Sequence, residues 1–278
     1  MGLKDWLLRS GRNSGSADIA GCYADIQRWE DIYNGGGDWR YARRGGIQGG
    51  TRKLASLGAA RALCGELARL CFTEGTSMCY SDSDTESFVN RVLTESRFSE
   101  RFPVFLEKVF ALGGGVIKVY YDDSAPDGVP GVRVDLVTAD CFLPTAWNSR
   151  EITGGAFASR IVSGGRNYIL AESQELSGDQ LTIENRLFRE DGGKADMSSV
   201  LPGLSGQSSV KGLTAPLFVY LSAGSRRAAS SGECPLLGSS VFDGAEDTLK
   251  SIDIVFDSLS REFVPVSYTH LTLPTKRI

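Results

Sequence analysis

The sequence of 278 residues predicts an α+β fold, with a helical N-terminal part, an antiparallel sheet in the middle and a long C-terminal helix. Three observations lead to this prediction. Apolar residues recur at helical spacing as far as residue 112, and the period becomes strand-like from Val116. An apolar seam with heptad spacing then begins near Ser239, which is typical of a long helix packed on its neighbours.

The N-terminal part is predicted to hold a flexible arm followed by helices. The arm covers residues 1–16, which begin with a short amphipathic stretch and continue into a segment rich in glycine and serine. The first helix covers residues 18–33 and has one apolar stripe. The stripe consists of Cys22, Ile26, Trp29 and Tyr33.

A second helix is predicted over residues 52–72, with its apolar residues mostly turned inward. These inward positions are Leu54, Leu57, Leu63, Leu67, Leu70 and Cys71. A pair of helices follows, and the second of them, over residues 98–112, has a heavily aromatic face. Gly113 is predicted to end this helix in the left-handed conformation that glycine adopts at a helix C-terminus.

The middle of the chain is predicted to form strands separated by glycine-rich or acidic turns. The predicted strands are residues 116–121, 132–138, 156–163, 167–173, 181–189 and 216–221. Residues 190–212 are polar and are predicted to form a loop. The final helix begins near Ser239, and its seam consists of Ala245, Leu249, Ile252, Phe256, Leu259 and Phe263.

The last residues of the chain have an unusual pattern. Residues 266–275 resemble one reading frame of a transposon-type sequencing adapter, so we expect residues 266–278 to be an artefact and the native chain to be cut short there. His270, which is the single histidine of the sequence, lies in this segment. The alternative is a natural β-strand stopped by Pro274.

The charge distribution indicates how the chain can interact with nucleic acid. Without residues 266–278, the sequence has 28 basic and 34 acidic residues, a net charge of −6. Residues 1–80 carry 11 basic and 8 acidic side chains, whereas residues 81–265 carry 17 and 26. Tight binding of nucleic acid needs a basic surface, so this composition argues against a protein that wraps DNA. It is compatible with DNA that moves past the protein without being tightly bound.

Hydropathy and cysteine spacing exclude two further classes. No apolar run approaches the roughly 18 residues of a membrane-spanning helix. None of the six cysteines forms the C-x-x-C spacing of a zinc or redox site, which fits a reduced, cytosolic setting. Cys64 and Cys71 are therefore expected to be small core residues.

The sequence offers little chemistry for catalysis. Residues 1–265 contain no histidine, which excludes Ser-His-Asp and Cys-His nucleophile systems and histidine metal sites there. The glycine-rich residues 45–52 lack the lysine of a phosphate-binding loop and are expected to form a mobile loop. We therefore predict no enzyme, and no catalytic, cofactor-binding or metal-binding residues.

Two acidic clusters and one basic patch have ordinary structural explanations. Residues 82–86 fail the EF-hand pattern at Ser87 and Leu93, so they are predicted to form the acidic first turn of a helix. The cluster of Asp122, Asp123 and Asp127 lies in a loop rich in Pro and Gly, where aspartates serve turn geometry. The basic patch consists of Arg40, Arg43, Arg44, Arg52 and Lys53, interleaved with Trp39 and Tyr41. It would suit nucleic acid or a partner subunit, but a solvated loop is the simpler interpretation.

Several segments in fixed order carry a resemblance to a known family. The segments are residues 26–39, 57–74, 105–119, 137–147 and 235–242. The first segment has Trp29 and Tyr33 on a helix, followed by a glycine and Trp39. The third segment is an aromatic helix that turns through Gly113 into a strand. Over residues 20–263 they resemble the portal proteins of tailed bacteriophages, the head-to-tail connector family.

The resemblance implies a subunit of a homo-oligomeric ring, usually of twelve, at one vertex of the phage head. Such rings pass double-stranded DNA inward during packaging and outward at ejection, without sequence specificity. The implied partners are the major capsid or scaffolding protein, the terminase and the head-completion proteins, and the implied location is the virion, assembled in the host cytoplasm. Residues 17–238 would form the outer wing, and residues 239–265 would begin the helix that approaches the stem. The family contributes no catalytic residue and no cofactor.

Two other functions remain open from the sequence. One is another phage head protein, such as a minor capsid component. The other is a carboxylate-dependent hydrolase that uses Asp122, Asp123 or Asp140, and it predicts metal-dependent activity that Asp→Asn substitution removes.

Overall fold

The computed structural model describes residues 19–43, 51–73, 82–122, 131–223 and 236–269, together with Thr76 and Tyr80. Helices pack against antiparallel sheets, and a long helix follows them, so the predicted α+β class is confirmed. The predicted arm at residues 1–16, most of the glycine-rich loop at residues 45–52 and His270 lie outside the described residues.

The described helices are α1 (Ile19–Tyr33), α2 (Ala59–Cys71), α3 (Ser83–Glu95), α4 (Phe98–Leu112), the short α5 (Met197–Val200) and α6 (Glu246–Thr269). Single 3-10 turns occur at Asp38–Arg40 and Ala139–Cys141. The strands are β1 (Tyr41–Arg43), β2 (Thr51–Lys53), β3 (Gly114–Asp122), β4 (Gly131–Thr138), β5 (Phe142–Trp147), β6 (Ile152–Ser163), β7 (Arg166–Ser177), β8 (Gln180–Arg189), β9 (Gln207–Lys211) and β10 (Phe218–Ser222).

The strands form three antiparallel sheets. The first pairs β1 with β2, the second has the order β10-β3-β4, and the third has the order β5-β6-β7-β8-β9. The hairpin between β6 and β7 turns through Gly164 and Gly165, both at positive φ. Two glycines at positive φ suit the two-residue turns whose twist matches that of paired strands. The five strands predicted between residues 116 and 189 are confirmed, each with longer bounds. The strand predicted at 216–221 is observed at Phe218–Ser222, and β5 was not predicted.

A buried Lys118–Glu172 pair joins the second and third sheets. Lys118 on β3 is 2.8 Å from Glu172 on β7, and its ammonium lies 5.1 Å from the centre of the Phe157 ring. Gln174, also on β7, donates a hydrogen bond to the same carboxylate. The paired charges and the hydrogen bond offset the cost of removing a lysine from water.

The helices cover the sheets with the faces that the sequence predicts for α1 and α4. All four residues of the α1 stripe are buried, and Trp29 is among the largest fully buried side chains. On α4, Phe98, Phe102 and Phe105 pack in succession, with ring centres 4.6 and 6.0 Å apart. Aromatic rings bury large apolar areas, so this face makes α4 the main attachment of the helices to the sheets.

Helix α2 corrects the prediction for its buried face. The side chains in the interior are Ala60, Cys64 and Ala68, whereas Leu63 and Leu70 are exposed. Small side chains let two helix backbones approach closely, and here they face α4. The prediction that Leu57, Leu63, Leu70 and Cys71 point inward is wrong, and of the two cysteines only Cys64 is a core residue.

Three boundaries also differ from prediction. Arg52 and Lys53 belong to strand β2 rather than to a helix, and residues 207–211 form the edge strand β9 inside the predicted loop. The last helix begins at Glu246 rather than near Ser239, because residues 236–245 form turns that pass over the end of α4. It continues to Thr269, so residues 266–269 are helical rather than a strand.

Candidate functional site

Two aspartates attach helix α6 to the rest of the chain. Asp253 and Asp257 are four residues apart, so they lie on the same face of the helix. Both are buried, and they are the acidic residues among the buried polar side chains of the described chain. A buried carboxylate is stable only when hydrogen-bond donors surround it, and each of these two has three.

Asp257 binds strand β2 and the segment that follows it. Arg52 donates two hydrogen bonds to its two oxygens, at 2.7 and 2.6 Å, in the bidentate geometry that makes Arg–carboxylate pairs strong. The backbone N–H of Ala55 donates a third, at 2.9 Å. These hydrogen bonds hold the pKa of Asp257 well below its usual range, with the Arg52 hydrogen bonds as the largest cause.

Asp253 binds two separate parts of the chain. One of its oxygens accepts a hydrogen bond from the Trp39 indole N–H at 3.0 Å. The other accepts from the Ser56 hydroxyl at 2.8 Å and from the backbone N–H of Leu57 at 3.0 Å. One side chain therefore fixes α6 against both the turn after α1 and the approach to α2.

The start of α6 is fixed by a second set of contacts. Arg28 on α1 is 3.1 Å from Glu246 and 3.8 Å from Asp243. Upstream, the backbone N–H of Val241 donates to the Phe110 carbonyl oxygen at 3.0 Å. A methyl group on Gly113 would lie 2.6 Å from the Gly238 carbonyl oxygen, so the two chain segments cross at glycine. The left-handed conformation predicted for Gly113 is confirmed, with φ 83°.

An apolar groove lies beside this attachment. It is open to solvent and has a volume of about 390 Å³, and Thr248 and Ser251 line it together with apolar side chains. The apolar residues that line it are Leu57, Ile252, Val255, Phe256 and Leu259. Ile252 and Phe256 are half-buried, but Val255 is 58% exposed. From Leu249 onward the predicted heptad seam is thus a face of α6, and the rest of the described chain covers it only partly. Ala245, the first predicted seam residue, precedes the helix and is exposed.

A second apolar face lies on α2. Leu63, Leu67 and Leu70 follow helical spacing, and Leu70 is 69% exposed. This face follows from packing Ala60, Cys64 and Ala68 inward, because the leucine stripe then lies at the margin of the buried face, with Leu67 half-buried and Leu63 and Leu70 exposed. Contiguous exposed apolar side chains mark surfaces that another molecule or segment covers.

The predicted basic patch is largely part of the scaffold. Arg52 is the partner of Asp257, and Trp39 is a partner of Asp253. Arg40 is buried and donates to the Gly35 carbonyl oxygen at 2.8 Å. Tyr41 and Lys53 are exposed, while the side chains of Arg43 and Arg44 lie outside the described residues. The structure therefore turns the described arginines of the patch inward.

The acidic candidates do not come together. Asp82 caps α3 by accepting hydrogen bonds from the Thr85 N–H and hydroxyl, which lower the pKa of Asp82, so the predicted helix turn is confirmed. Asp122 ends β3 opposite Gly131, whereas Asp140 lies beyond the other end of the same β3–β4 pairing. Asp123 and Asp127 lie outside the described residues.

The described residues provide neither a metal-binding cluster nor a membrane-spanning helix. Among them, no group of three or more Cys, His, Asp or Glu side chains is placed to hold a metal ion. No helix in the described part of the chain combines the length and the hydropathy that crossing a bilayer requires.

Sequence reasoning missed the two buried aspartates. The available signal was their spacing, since Asp253 directly follows Ile252 and Asp257 directly follows Phe256, and both of these apolar residues belong to the heptad seam. A carboxylate next to an apolar seam of a helix is usually exposed to solvent. Asp253 and Asp257 are stable in the interior because hydrogen-bond donors between Trp39 and Leu57 surround them.

Comparisons with models of known protein families and with curated proteins return no match for this sequence.

Proposed function

We propose that the chain is a structural subunit of a phage portal ring, through which double-stranded DNA enters the head and later leaves it. The observation that carries the proposal is the leucine face of α2, on which Leu63 and Leu70 are exposed and Leu67 between them is half-buried. The ordered resemblance of residues 20–263 to portal proteins gives that face its interpretation as a contact between subunits.

A ring needs contacts between unlike surfaces of identical subunits. Such head-to-tail contacts close into a ring when the rotation between neighbours divides a full turn. The α2 face is a helical stripe beside the buried stripe of small residues, and it offers a neighbour two leucines that are already exposed. Its burial is favourable because apolar area leaves water.

The charge of the chain supports the conduit part of the proposal. Residues 81–265 have nine more acidic than basic side chains, and the described arginines of the one basic patch point inward. Phosphates of DNA bind where Lys and Arg release counterions, so a net acidic subunit lets DNA move without holding it. The capsid or scaffolding protein, the terminase and the head-completion proteins are the partners that this proposal implies.

The attachment of helix α6 supports the proposed division of the subunit into a wing domain and a helix that leads toward the stem. Its attachment at Asp253 and Asp257 fixes its direction relative to the sheets. In the proposal, residues 17–238 form the wing, and the stem approach that begins at residue 239 becomes helical at Glu246.

The test is the assembly state of the purified chain and of a Leu63→Asp, Leu70→Asp double variant. Mass photometry over a concentration series, followed by electron microscopy, is expected to show closed rings for the wild type. The double variant is expected to remain monomeric, because two carboxylates would be desolvated in each contact. Ring symmetry separates this function from that of a minor capsid component.

The matched control is Val162→Asp, which places one carboxylate at an exposed valine on β6, away from α2. It is expected to assemble like the wild type. A wild-type chain that stays monomeric throughout the series, or a double variant that assembles as well as the control, would contradict the proposal.

A further inference from the structure

We infer that the groove on α6 is a docking site for the N-terminal segment of the same chain, with Leu3, Trp6 and Leu7 as the side chains that enter it. The inference concerns a contact within one molecule and does not depend on the portal function. It rests on the apolar lining of the groove, on the spacing of the apolar residues in the N-terminal segment, and on the length of the chain that joins the two.

The groove needs an apolar occupant. Leu57, Val255 and Leu259 are each about half exposed along its length, although the residues between them contact the body of the protein. A volume of about 390 Å³ accommodates a few large side chains and falls in the range of ordinary binding pockets. Because five of the seven lining residues are apolar, an occupant gains affinity there mainly by burying apolar surface.

The N-terminal segment has the matching pattern. Leu3, Trp6 and Leu7 are at spacings of three and one, which places all three on one face of a helical turn. Lys4, Asp5 and Arg9 fall on other sides of the same turn. Occupants of apolar helical grooves are recognised through anchors at this kind of spacing.

The chain is long enough for the contact. Along α1, Ile19 is about 14 Å from Arg28, at 1.5 Å per helical residue. Arg28 contacts Glu246 at the start of α6, and Val255 is about 14 Å further along that helix. With about 10 Å for the Arg28–Glu246 side chains, the longest path is about 40 Å, and the thirteen residues from Trp6 to Ile19 span about 43 Å when extended.

Hydrogen exchange on the whole chain tests the contact. Amides of residues 3–8 are expected to exchange roughly tenfold more slowly than in a synthetic peptide of residues 1–12, because docked helical amides are protected. Val255→Asp is expected to abolish this protection. Ile254→Asp is the matched control, since Ile254 is the neighbouring exposed residue on α6 but does not line the groove.

A positive readout avoids any effect of the substitution on folding. Replacing Trp6 with p-benzoylphenylalanine and irradiating the monomer is expected to link position 6 to the peptide that holds Ile252–Leu259. Exchange of residues 3–8 at the rate of the free peptide, or equal effects of Val255→Asp and Ile254→Asp, would overturn the inference. Links found only between two chains, with protection that falls on dilution, would also overturn it, because the occupant would then be a second copy.

Discussion

Helices α4 and α6 are attached to the same body by opposite means. Helix α4 turns its phenylalanines inward, and Phe105, Leu106 and Val109 are buried against the sheets. Helix α6 turns two carboxylates inward and leaves much of its apolar face in the groove. Most helices of globular proteins follow the first arrangement, with polar side chains on the solvated side.

The two kinds of attachment make different contributions to the structure. Apolar burial is strong but non-directional, so it stabilises the core without fixing fine orientation. Hydrogen bonds to carboxylates are directional, and Asp253 and Asp257 together engage Trp39, Arg52 and three backbone or side-chain donors between Ala55 and Leu57. The polar attachment therefore fixes the position of α6 while its apolar residues remain available for another contact.

The largest expected effect tests the apolar attachment. Phe105→Ala should lower the free energy of unfolding by about 4 kcal/mol, because it removes a buried ring and leaves a cavity beside Gly115 and Phe102. Urea unfolding followed by circular dichroism measures it. Phe88→Ala, which truncates a 46% exposed ring on α3, is the control and should cost far less. Equal losses would mean that α4 is not the main apolar attachment.

The next effect tests the polar attachment. Asp253→Ala should cost about 3 kcal/mol, since three donors lose a charged acceptor and two of them are left in a partly buried site. Asp247→Ala removes an exposed carboxylate from the first turn of α6 and should cost about 0.5 kcal/mol. The comparison fails if the two variants unfold at the same urea concentration.

A smaller loss of stability is expected at Tyr23, which combines apolar burial with a hydrogen bond. This residue of α1 is surrounded by core residues but donates a hydrogen bond from its hydroxyl to the Phe142 carbonyl oxygen, and burial raises the pKa of Tyr23. Tyr23→Phe should cost about 1.5 kcal/mol, the price of one buried hydrogen bond. Tyr41→Phe, at an exposed ring, should cost nothing measurable. A neutral Tyr23→Phe would assign this contact entirely to apolar packing.

The smallest effect is that of mild acid on the attachment of α6. The pKa of Asp257 is lowered in the folded chain, so the stability it contributes is complete above the unfolded value of about 3.9 and is lost as the pH falls through the folded value. The difference in unfolding free energy between wild type and Asp257→Asn should therefore stay constant from pH 7 to about pH 5 and shrink below about pH 4. If the difference in unfolding free energy already shrinks between pH 7 and pH 5, the pKa of Asp257 is not lowered in the folded chain.

The parts of the fold that follow from local pattern were predictable. The aromatic face of α4, its glycine end at Gly113 and the hairpins of β6, β7 and β8 each depend on residues close together in sequence. Predicting the face of α2 failed because that helix carries two stripes, one of leucines and one of Ala60, Cys64 and Ala68. Hydropathy favours the leucines, but the close approach of α4 favours the small residues, and this approach depends on the tertiary structure.

The candidate site was less predictable than the fold. The heptad seam of α6 indicated an apolar face, and that face exists. The inward position of Asp253 and Asp257 depends on donors about 200 residues earlier in the chain, at Arg52 and Trp39. No spacing rule within α6 contains that information, because the preference arises from long-range hydrogen bonds.

The position of the anchors along α6 has a mechanical consequence. The helix has 24 residues and is about 36 Å long, and its contacts at Glu246, Asp253 and Asp257 lie in the first half. The second half, about 18 Å, extends past the last of these contacts. A tilt of about 10° at Asp257 would move the far end by about 3 Å over that length. Small adjustments of one buried ion pair are thereby converted into displacements as large as an atomic diameter at the tip of the helix.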